Sequence, residues 1–75
     1  MINLPKAVIV IPRDSPALRR EVETALREKW KHVDFTFIDG EADSRCRVTE
    51  TVGFDGAALA ESVRVEVMHI ERKYR

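Results

Sequence analysis

The chain has 75 residues, 13 Lys or Arg against 13 Asp or Glu, 44% hydrophobic and 35% charged residues. That describes one small folded domain, residues 1–75, rather than a disordered chain or a strongly basic nucleic-acid module. No apolar run approaches the roughly 20 residues of a membrane span, no secretory pattern is visible, and the single cysteine, Cys46, cannot form an internal disulfide, so the expected location is the cytoplasm.

The balanced charge is unevenly spread. Residues 33–61 carry seven acids against Arg45 and Arg47 only, and both flanks are mildly basic. A protein partner that reads a charged face suits this distribution better than a nucleic acid does.

The first element is the run Ala7-Val8-Ile9-Val10-Ile11, set between Pro5 and Pro12. A continuous β-branched run predicts a strand covered on both faces or along its edge, ended where Pro12 removes a ladder donor. Asp14-Ser15-Pro16 then reads as a helix start: Asp14 or Ser15 can cap the free N–H groups, and Pro16 fits the first turn. Leu18, Val22, Ala25 and Leu26 share one face, with Trp30 at its border, so a helix is expected over about residues 15–31. Glu23 and Arg27 make a favourable i,i+4 pair outside.

Val33, Phe35 and Phe37 alternate with polar residues and predict a second strand. Asp39 to Asp43 is a polar turn, after which Cys46, Val48 and Val52 alternate against Arg45, Arg47, Thr49 and Thr51. The pair reads as a hairpin whose polar side, with Thr36, faces away from the helices. Gly53 and Gly56, around Asp55, mark the next turn and a helix cap. Residues 62–71 admit two readings: a helix with the stripe Leu59, Val63, Val67, Ile70 and Tyr74, or a fourth strand on Val63, Val65 and Val67. The helix accounts for more residues and is the one adopted.

The expected fold is therefore α+β, a two-layer β-α-β-β-α arrangement with both helices on one face of a three-stranded sheet in the order 1-3-2. This order leaves the first strand at an edge, where a long apolar strand pairs with something else or aggregates.

Candidate sites are few. Asp39, Glu41, Asp43 and Glu50 have the one, three, five and twelve spacing of a calcium loop, but Ser44 replaces the loop glycine and residues 45–50 are needed for a strand. They read as a solvated acidic turn. His32 and His69 lack companions at zinc spacing, and no nucleophile elbow or phosphate loop is present. No catalytic residue, metal or cofactor is assigned. Cys46 is expected as a small buried hydrophobe in the central strand. Trp30 and Tyr74 are expected to close the core at the helix ends.

In its element order, in the Ser15-Pro16 helix start followed by Leu18, Val22, Leu26 and Trp30, and in Asp55 followed by Leu59, Val63 and Val67, the chain resembles the DinI-like family of damage-inducible bacterial and phage proteins. That resemblance implies this fold and a protein-directed role. The family's C-terminal helix is strongly acidic and implicated in contacting the RecA recombinase, whereas here it carries Glu61, Glu66 and Glu71 and ends Arg72-Lys73-Tyr74-Arg75. The family's Phe-Pro-Asp-type segment after the first helix is replaced by Trp30-Lys31-His32.

The leading expectation is a small non-enzymatic regulator or inhibitor of bacterial or phage type that binds a protein or a second copy of itself. Two surfaces would carry this. One is the open edge Val8, Ile9, Val10 and Ile11, through strand addition or homodimerisation. The other is the outer face of the C-terminal helix at Arg64, Met68, Glu71, Arg72 and Arg75. The alternative is a homodimeric nucleic-acid binder with phosphate contacts from Arg45 and Arg47.

Overall fold

The apolar run that opens the chain forms the middle of the sheet. A computed structural model describes residues 5–53 and 56–74. Its elements are β1 (Lys6–Pro12), α1 (Pro16–Lys29), β2 (Asp34–Gly40), β3 (Arg47–Val52), α2 (Gly56–Glu71) and a final 3-10 turn, Arg72–Tyr74. This is the expected α+β succession β-α-β-β-α with a three-stranded sheet, and residues 62–71 are helical.

The position of the strands differs from expectation. The sheet order is β2-β1-β3, not 1-3-2, with β1 parallel to β2 and antiparallel to β3. Hence β2 and β3 do not form a hairpin. Their inner ends lie on either side of β1, about 10 Å apart, and residues 41–46 can bridge that distance because extended chain covers more than 3 Å per residue. The physical reason lies in composition: β1 is apolar on both faces and belongs at the centre, whereas β2 and β3 alternate and tolerate edges. Val8, Ile9, Val10 and Ile11 are therefore not an open edge, because the first three are paired on both sides and Ile11 pairs with β2 and is fully buried.

Within β1 the side chains alternate. Ala7, Ile9 and Ile11 point to the helices and join Leu18, Val22 and Leu26 of α1 with Val63, Val67 and Ile70 of α2 in one buried core. Phe35 and Val33 are buried in the same core, and Phe37, Val48 and Trp30 pack against it. Trp30 meets Phe35 edge-on with ring centroids 6.4 Å apart, and Phe35 stacks on Phe37 at 5.9 Å.

Helix α1 starts with Pro16 in its first turn, but the Ser15 hydroxyl makes no capping bond; the Ser15 carbonyl accepts Arg19 N–H at 3.0 Å instead. It ends where Trp30 N–H reaches the Leu26 carbonyl at 2.9 Å. Outside, Glu23 pairs with Arg27 at 3.7 Å as the spacing suggested, and also with Arg19 at 3.6 Å. After β3 the chain turns at Gly53, whose φ of 118° is open to glycine alone among ordinary residues; an added Cβ would also come within 2.9 Å of Pro5 Cα.

Candidate functional site

Both helices cover one face of the sheet, and none of the described elements covers the other. The pairing register arranges that open face in three rows: Lys6 between Asp34 and Val52, Val8 between Thr36 and Glu50, and Val10 between Ile38 and Arg47. Val8 is half-buried, Val10 is shielded to 6% by its neighbours, and Ile38 and Val52 are 44% and 53% exposed. The result is an apolar seam edged by charges of both signs. A β-bulge between Val8 and Ile9 slips Thr49 out of register, and its hydroxyl donates to the Val8 carbonyl at 3.3 Å.

The expected polar face of the second and third strands is only partly realised. Thr36 and Arg47 lie on the open side, but Thr51 aligns with Ala7 and Phe35 on the helix side, where its hydroxyl donates to the Gly56 carbonyl at 2.9 Å. The bulge causes this change of side, since one extra residue inverts the alternation beyond it. Arg45 precedes β3 and is exposed, and Cys46 likewise stands before this edge strand rather than within a central one. Cys46 is half-buried against the core.

At the end of the face where β1 and β2 finish, Val10 and Ile38 floor a depression of about 600 Å³. Arg13, Arg45 and Arg47 line it together with Glu41 and Asp39. Among the described residues none of these three arginines has a carboxylate within salt-bridge distance, whereas Asp39 is engaged by Arg19 across the sheet edge. Two local features shape the depression. Gly40 lets Val10 approach so closely that a Cβ there would meet Val10 Cγ1 at 2.7 Å. Asp43, in the left-handed region at φ 61°, closes a turn in which Ser44 Oγ donates to the Glu41 carbonyl at 2.6 Å. No local pattern marks Arg13, which follows Pro12 directly; only the sheet order brings it beside Arg45 and Arg47.

The second surface is smaller than expected. Arg64 and Met68 are exposed on α2 and Arg72 on the turn that follows it, and Val65, at 60% exposure, and His69 join them. Glu71 is not part of this face: it is 6% exposed and accepts the Cys46 backbone N–H at 2.8 Å. Arg75 lies outside the described residues. Tyr74 does not close the core; it is 45% exposed and donates to Glu21 at 2.8 Å, beside Lys73 at 2.9 Å from the same carboxylate. These two hydrogen bonds hold the Glu21 carboxyl below its ordinary range and raise the Lys73 and Tyr74 values.

On the other edge, Arg19 donates to the Phe37 carbonyl at 3.3 Å and the Arg27 guanidinium lies 5.2 Å from the Phe37 ring centroid. Two cations thus guard the β2 edge against strand addition. Among the described residues no helix is long and apolar enough to cross a membrane, and no group of three His, Cys, Asp or Glu is gathered to hold a metal. Comparison with family models, curated proteins and solved structures found no match to this chain.

Proposed function

We propose that this protein is a small non-enzymatic regulator or inhibitor that binds a protein partner through the open face of its sheet. The observation that carries this reading is the apolar seam Val8, Val10, Ile38 and Val52, uncovered by any described element and bordered by Lys6, Asp34, Glu50 and Arg47. Apolar surface rimmed by mixed charge is typical of protein interfaces, where the seam supplies affinity and the rim orientation. The exposed side of α2 at Arg64 and Met68, with Arg72 on the turn after it, is a second contact of the same kind. The resemblance to DinI-like proteins points to the same class of function. Nucleic-acid binding through Arg45 and Arg47 is the weaker reading, because Glu50 and Glu41 stand beside them and Phe35 and Phe37, the residues able to stack on bases, pack under the helices.

Site-specific photo-crosslinking tests the proposal. A photoreactive phenylalanine at position 36, on the open face, is compared with one at position 20, on the exposed side of α1, in cells that produce the protein natively. A discrete protein adduct at position 36 and none at position 20 is the expected result. Equal labelling at both positions, or adducts to nucleic acid alone, overturns it.

A further inference from the structure

The geometry points to an anion subsite within that docking face: Arg13, Arg45 and Arg47 receive a carboxylate side chain of an extended acidic peptide segment whose neighbouring apolar residue rests on Val10 and Ile38. This inference rests on the protein-binding reading and adds the chemistry of the partner. Arg13, Arg45 and Arg47 line one depression from three separate places, the residue after β1, the crossing segment and the first residue of β3. Like charges around one depression repel, and among the described residues none of the three makes a salt bridge with a carboxylate. Arginine presents donors in a planar fork that matches a carboxylate with two parallel hydrogen bonds.

Charge complementarity decides the kind of anion. Glu41 and Asp39 line the same depression, and Glu50 stands in the next row of the face, so a long polyanion running down the face would meet carboxylates within a few residues of the arginines. A single acidic group avoids them. The floor of Val10 and Ile38 then favours an apolar residue beside that acid, which an extended peptide provides at alternating positions.

The test is an amide-resolved NMR titration of the 15N-labelled full chain. Its probes are the peptide acetyl-Gly-Leu-Ser-Glu-Ser-Leu-Gly-amide, which sets one acid and its flanking leucines on the same face of an extended chain, the same peptide with Gln in place of Glu, a single-stranded oligothymidine and inorganic phosphate. The acidic peptide is expected to shift the amides of Val10, Ile38, Gly40 and Arg47, and the neutral peptide to bind about ten-fold more weakly. Arg13→Gln and Arg47→Gln are each expected to cost a similar factor while Arg20→Gln changes nothing, and all three residues are exposed, so folding is preserved. Equal affinity for the neutral peptide overturns the subsite but leaves the docking face standing, provided the same amides move. Oligothymidine or phosphate binding as tightly as the acidic peptide overturns both the subsite and its peptide specificity. No shift on the open face with any probe also overturns the inference, and the crosslinking experiment then decides the wider reading by itself.

Discussion

The Glu71 carboxylate, buried at the end of α2, accepts the Cys46 backbone N–H at 2.8 Å. This bond fastens the last helix to the segment that carries the chain across the end of β1, and so holds the antiparallel edge strand against its neighbour. A carboxylate accepting a backbone donor in a part-buried position is a stronger bond than a neutral pair, and its removal leaves a poorly solvated N–H. Glu71→Leu is expected to lower stability by about 1–3 kcal/mol, read as a fall in the urea midpoint with an unchanged slope. Glu61→Leu, on the exposed side of the same helix, should stay within about 0.5 kcal/mol. Equal midpoints for the two variants would assign the Glu71 bond no net role.

The two faces of β1 make a sharper contrast. Ile9 is fully buried between the sheet and both helices, and Val8, one residue earlier, looks out onto the open face. Ile9→Lys should prevent folding, because a charge would enter the core without a partner. Val8→Lys should fold with a native circular dichroism spectrum and lose the adduct formed at position 36. A folded Ile9→Lys variant would invert the face assignment.

The element types were legible in the chain because each carries its own period. Leu18, Val22 and Leu26 recur at helical spacing, as do Val63, Val67 and Ile70, and all six are buried where the spacing puts them. Strand position was harder to read. Two alternating segments joined by the polar turn at Asp39 to Asp43 read as a hairpin, although the run Ala7–Ile11, apolar on both sides, points to a central strand. The side of Thr51 depends on a bulge, which leaves no mark in an alternation pattern. Arg13 and Glu71 gained their roles from contacts between elements distant in sequence, and no local spacing encodes those.

The core itself gives a direct energetic check. Val22 of α1 and Val63 of α2 are both fully buried in the same cluster. Either truncation to Ala removes two methyl groups and leaves a cavity, so each should cost about 1–3 kcal/mol in urea unfolding. Arg45→Ala, by contrast, removes an exposed side chain and should stay within about 0.5 kcal/mol. A large loss at Arg45 would mean that its guanidinium supports the crossing segment rather than standing ready for a ligand.

Glu21 makes the C-terminal turn sensitive to pH at both extremes. Its carboxyl value is lowered from the ordinary 4.5, first by the hydrogen bond from Lys73 and then by that from Tyr74. A lowered carboxyl value means that the anion is the form bound in the folded state, so this contribution is complete above 4.5 and is lost as pH falls through the lowered value. Lys73 and Tyr74 are raised from 10.5 and 10.0 by the same contact, so their protonated forms are the bound ones; that contribution is complete below 10.0 and disappears as pH rises through the raised values. The groups are exposed, and salt weakens them further. Undocking should therefore stay local: amide exchange at Arg72 to Tyr74 should accelerate in acid and in strong alkali while the α2 amides near Val63 remain protected. Glu21→Gln should abolish the acid limb, and an acid limb that persists in that variant would place the titrating group elsewhere.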